Sequence, residues 1–80
     1  MLTEQSLRSY LYSIVKRWIP TDWMLIIIEN QVRLAKLNLD DIYEELWSLK
    51  ENLNIKNVGD AIISATANYL FQLFNPVDTQ

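Results

Sequence analysis

The stretch Leu37-Asn38-Leu39-Asp40-Asp41-Ile42-Tyr43-Glu44-Glu45-Leu46-Trp47-Ser48-Leu49 constrains the chain more than any other. Carboxylates crowd its start, where acid caps orphan backbone amides and faces the positive end of a helix macrodipole. Ile42, Leu46, Leu49 and Leu53 then recur at i, i+4, i+7 and i+11, so one apolar seam faces inward. The spacing predicts a helix over about 40–53. A helix with one apolar seam needs other helices to cover it.

The rest of the chain supplies them. Thr3 is placed to cap a helix over about 4–18, in which Leu7, Tyr10, Leu11, Ile14, Val15 and Trp18 fall on one face. Lys16 and Arg17 fall in its last turn, and Pro20 forces Ile19 toward extended geometry. Residues 22–37 are ambiguous, because Trp23 to Ile28 is apolar without a period and contains three consecutive isoleucines. A helix capped by Thr21 or Asp22, with Glu29 and Arg33 paired at i, i+4, is favoured over a strand that would lack a partner. Either conformation must bury the run. Asn52, Asn54 and Asn57 mark a turn. Asp60 opens a helix over about 60–74 that stops at Asn75-Pro76, and the tail 76–80 frays. That helix has two apolar rows, Ile62-Ala65-Tyr69-Leu73 and Ile63-Ala67-Leu70-Phe74. The expected fold is all-α: a small compact four-helix bundle with short connections, in a single domain spanning 1–80.

One Gly and two Pro in 80 residues leave little material for the tight turns of an all-β domain. The chain has neither His nor Cys. Catalytic triads, imidazole acid–base chemistry and a zinc site of nitrogen and sulfur ligands are therefore closed to it. Its single glycine, Gly59, excludes a phosphate-cradling loop. No cofactor and no enzymatic activity are expected. A net charge of −3 argues against a general nucleic-acid binder. The longest apolar run, Trp23 to Ile28, is far short of the roughly 20 residues that span a bilayer. The first residues lack the basic and apolar regions of a signal peptide, so a cytoplasmic setting is the default.

The acidic cluster Asp40, Asp41, Glu44 and Glu45 offers oxygen ligands for a hard cation, but it lacks a calcium-loop spacing. An acidic helix start or a docking rim accounts for it better. Arg8, Tyr12 and Lys16 form a short basic stripe with one aromatic, whose sharper alternative to a plain solvent face is contact with nucleic acid or an acidic partner. Tyr43 and Trp47 lie beside the main seam of their helix and widen its apolar face. Together with the Trp23–Ile28 run, they give more apolar surface than 80 residues easily hide. The expected partner-binding residues are Trp23, Met24, Ile27, Tyr43, Trp47 and Phe71 as apolar anchors, with Asp41, Glu44, Glu45 and Glu51 as a charged rim.

Leu37-Asn38-Leu39-Asp40-Asp41-Ile42 resembles the Leu-Gly-x-Asp-Ser-Leu signature of the acyl and peptidyl carrier proteins, in which the Ser carries phosphopantetheine. Leu46, Leu49 and Leu53 resemble the spacing of the helix that follows in that family. Asn57-Val58-Gly59-Asp60 is similar to the opening of its last helix. Asp41 stands where the family has the modified Ser. The resemblance therefore implies a degenerate carrier-like domain without the prosthetic group, whose acidic helix still serves for docking. The function expected from the residues themselves is a non-enzymatic protein–protein interaction module, acting as adaptor, regulator or assembly subunit on a protein partner or a second copy. A nucleic-acid regulator using the first helix is the least favoured alternative.

Overall fold

Local capping fixes the start of the first helix. Thr3 Oγ1 accepts from the Ser6 N–H and Ser6 Oγ accepts from the Thr3 N–H, closing a reciprocal capping box. The computed structural model describes residues 3–16 and 18–75, the side chain of Ile14 excepted. Ile14 in the predicted seam, Arg17 in the predicted last turn, the Pro76 stop and the tail 76–80 lie outside those residues. The described residues form five helices and no strand: α1 (Glu4–Val15), α2 (Thr21–Glu29), α3 (Gln31–Leu34), α4 (Leu39–Asn52) and α5 (Asp60–Phe74).

Two boundaries differ from those read in the sequence. α1 stops at Val15 because Lys16 adopts φ 53° and ψ −117°, which turns the chain out of the helical path. Trp18 consequently leaves the seam and is 66% exposed, where periodicity alone assigned it to the core. The helix expected over 22–37 divides at Asn30 into α2 and α3. The Asn30 side-chain amide donates to the Ile26 carbonyl at 2.7 Å, and its backbone N–H is shared between the Ile26 and Ile27 carbonyls. Such side-chain bonding competes with the helical ladder and interrupts it. The apolar run itself is helical, not extended.

α4 is closed at both ends. Asn38 Oδ1 accepts from the Asp41 N–H at 2.8 Å. At the other end Asn54 takes φ 56°. The Ile55 N–H donates to the Lys50 carbonyl and the Asn54 N–H to the Glu51 carbonyl, the hydrogen-bond pair of a Schellman motif. Leu53, the C-cap residue, is carried out of the seam and is exposed.

The core assembles from one face of each element. α1 contributes Leu7, Leu11 and Val15, α2 contributes Trp23, Met24, Ile27 and Ile28, and α3 contributes Leu34. Ile42 and Leu46 of α4 meet Ile63, Ala67 and Leu70 of α5 in the same cluster. The α4–α5 pairing is the most extensive; α1 lies on α2 and α5, and α3 on α2. Thr66, the buried polar residue of α5, satisfies its hydroxyl on the Ile62 carbonyl at 2.6 Å. The radius of gyration is 11.9 Å, close to the roughly 12 Å expected of a folded chain this long.

Candidate docking surface

α4 carries most of the candidate side chains, and its three faces are chemically distinct. Ile42 and Leu46 are buried, and Leu49 beside them is half-buried. Tyr43, Trp47 and Lys50 follow at i, i+4, i+7 along one flank and are also half-buried. The Tyr43 and Trp47 rings meet edge to face, with centroids 6.4 Å apart and planes at 69°. The Lys50 ammonium sits 4.8 Å from the Trp47 ring centroid, within the range of a cation–π contact. Asp41, Glu44, Ser48 and Glu51 recur at i, i+3, i+7, i+10 and form an exposed outer ridge, with Asp40 beside it. Three-and-four spacing keeps these side chains on one strip of the helix.

Glu45 stands on the opposite flank. It pairs with Arg33 of α3, and Arg33 also donates to Asn30 Oδ1. Glu45 therefore ties α4 to the α2–α3 junction and does not belong to a free rim. The sequence pairing of Glu29 with Arg33 is replaced by this longer-range one. Among the described residues the ion pairs are Arg33–Glu45 and Arg8–Glu4. Asp40, Asp41, Glu44 and Glu51 have no ion-pair partner there.

Three of the expected anchors are not on the surface. Trp23, Met24 and Ile27 are buried to within 1%, because α2 presents this face to the common core between α1 and α3. The Trp23 indole N–H meets no acceptor among the described residues. These residues reach a partner only if the bundle opens. Phe71 of α5 is half-buried and packs against the core.

The basic stripe on α1 is also rearranged. Arg8 is paired with Glu4 at 3.5 Å, Tyr12 is exposed, and Lys16 lies in the C-cap turn beyond the helix. Beside Lys16, a groove between the end of α1 and α5 is lined by Val15, Lys16, Trp18, Ala65 and Tyr69. Sequence reasoning missed this groove, since Trp18 falls in perfect register with the α1 seam. Val32 of α3, also exposed, lines a shallow hollow with Gln31, Ala35 and Lys36.

Among the described residues no three or more acidic side chains converge to hold a metal ion, and no helix is long and apolar enough to cross a membrane. No family model, curated protein or solved structure matches the chain.

Proposed function

We propose that the protein is a non-enzymatic helical interaction module whose docking surface is the outer side of α4. The aromatic flank of Tyr43 and Trp47 supplies the apolar contact, and Asp41, Glu44 and Glu51 supply the charged rim. The observation that carries this reading is the ridge itself: exposed carboxylates with no ion-pair partner among the described residues, next to two half-buried aromatics that meet edge to face. Charge of one sign concentrated on a helix steers an oppositely charged partner and rejects a like-charged one. Half-buried aromatics offer contact area with little rotamer entropy to lose. The fitting partner is a basic amphipathic helix, laying its apolar side on Tyr43 and Trp47 and its cations along the ridge. An acidic docking helix without a prosthetic group is also what the carrier-like signature at Leu37–Ile42 implies.

The test is nuclear magnetic resonance of the labelled protein titrated with a cationic amphipathic helical peptide. Shift changes confined to residues 40–51 and their neighbours support the reading. Changes scattered over the surface, or centred on α2, contradict it.

A further inference from the structure

Trp47 stands on the boundary between the two chemistries of α4. Residues three and four positions away are neighbours on a helix surface, and for Trp47 these are Tyr43, Glu44, Lys50 and Glu51. Positions i−4 and i+3 fall to one side of it, and i−3 and i+4 to the other. Tyr43 and Lys50 thus flank the indole on one side, and the exposed carboxylates Glu44 and Glu51 on the other.

A cation already occupies that ring. The Lys50 ammonium lies 4.8 Å from the Trp47 ring centroid. The residues three and four positions from Lys50 are Leu46, Trp47, Leu53 and Asn54, none of them acidic. Helical spacing therefore directs this ammonium to the indole and away from the ridge. Among the described residues none of Lys50, Glu44 and Glu51 takes part in an ion pair. The contact covers the ring and leaves the two carboxylates beside it unneutralised.

That contact is replaceable. At a partly exposed ring a cation–π contact corresponds to about two- to fivefold in an equilibrium constant. A hollow at the end of α4, lined by Lys50, Glu51, Asn54, Ile55 and Lys56, gives the lysine chain open space to turn into. An ammonium is a compact, strongly hydrated point charge. A guanidinium is planar and weakly hydrated, stacks on an aromatic face and keeps its N–H donors directed outward in its own plane. Only the second can cover an indole and donate to a carboxylate beside it at the same time.

We propose that the face of Trp47 is an arginine site, covered within the chain by Lys50 until an arginine of the partner displaces it. The inference rests on the reading of α4 as the docking surface and names the residue by which the partner is recognised. The arginine stacks on the indole and donates to Glu44 or Glu51. Lys50 is the autoinhibitory contact of the site, because it covers the ring and repels an incoming cation. A partner whose cations are all lysines pays the same displacement and recovers less of it.

Two cationic amphipathic helical peptides of equal length and charge test the proposal, one with arginine at every cationic position and the other with lysine. Each is titrated into the full chain by calorimetry and by nuclear magnetic resonance. The arginine peptide is expected to bind at least about threefold more tightly. Trp47→Leu, which keeps every carboxylate, is expected to lose that preference. Removing Lys50 also removes a like charge, so a cycle isolates the ring contact. Lys50→Met is expected to raise affinity for the arginine peptide about two- to fivefold more in the wild-type background than in the Trp47→Leu background.

The wild-type chain supplies a readout that needs no variant. The Lys50 ε-methylene protons are expected upfield of those of the other lysines, in the ring current of Trp47, and to return to the ordinary position as the arginine peptide binds. Four results would overturn the arginine site: equal affinity for the two peptides, equal gains from Lys50→Met in both backgrounds, Lys50 resonances that are not displaced in the free chain, or resonances that stay displaced in the complex. With any of these, shift changes confined to residues 40–51 and their neighbours would leave the docking reading standing. Binding of neither peptide, or binding away from α4, would overturn both.

Discussion

The indole of Trp47 meets the ring of Tyr43 edge to face across one turn of α4, and the Lys50 ammonium lies over the same indole from the next turn. Three side chains at i, i+4 and i+7 thus form a continuous contact along one flank, fixing an aromatic surface beside an acidic ridge. A partner that binds there meets rings already held in place, which lowers the entropy lost on association.

This edge-to-face contact has a measurable energy. In a double-mutant cycle by urea unfolding, Tyr43→Ala and Trp47→Ala should show a coupling of about 1 kcal/mol, the usual worth of an edge-to-face pair. Additive effects of the two substitutions would mean that the rings pack independently.

Burial separates the structural tryptophan from the exposed one. Trp23→Ala should cost about 3–5 kcal/mol, enough to unfold a small domain at ordinary temperature. Trp18→Ala should change stability by less than about 0.5 kcal/mol. Both values come from thermal or urea denaturation, and a reversed order would contradict the core assignment.

The chain places its glycine where none is needed and a lysine where one would be. Lys16 has φ 53°, whereas Gly59 has φ −94° and an added Cβ there would meet nothing within 4 Å. Lys16→Gly should stabilise the fold by about 0.5–1 kcal/mol, because glycine occupies that region without steric cost. Gly59→Ser should stabilise it by a similar amount, supplying the side-chain cap that α5 lacks and reducing the freedom of the unfolded chain. Melting temperatures of the two variants check both signs.

Asn38 carries the start of α4. Asn38→Ala removes the acceptor for the Asp41 N–H and should cost about 1 kcal/mol. Asn38→Asp should retain the cap and most of the stability, as read by urea unfolding.

The helical class and the Ile42-Leu46-Leu49 part of the α4 seam were legible in the residues because caps and 3.6-residue periodicity are local signals; Leu53, the seam's expected last member, is exposed. Asp40, Asp41 and Ile42 announce α4, and Thr3 announces α1, without knowledge of anything distant, although the side chain that caps α4, Asn38, was not read as a cap. The end of α1 was not legible, since nothing in the composition of Lys16 marks it as a left-handed residue. Trp18, three positions after Val15, fits the seam perfectly on paper. The break at Asn30 was likewise hidden, because it depends on whether the side-chain amide turns back to the Ile26 carbonyl or outward to water. Hydrophobicity singled out Trp23, Met24 and Ile27, but it could not separate a core anchor from a docking anchor. That distinction depends on how α1 and α3 cover α2. The pairing of Glu45 with Arg33 was equally out of reach, because it joins residues 12 positions apart on different helices.

The most direct measurement of the central claim is calorimetric titration of one cationic amphipathic helical peptide against two charge-reversed proteins of equal net charge. Glu44→Lys with Glu51→Lys alters the α4 ridge, whereas Asp22→Lys with Glu29→Lys alters exposed acids on α2. A docking surface on α4 predicts that the first pair abolishes the binding seen with the wild-type chain, while the second leaves the affinity within about threefold, as for rim charges away from a contact. Equal loss with both pairs, or no loss with either, would contradict it.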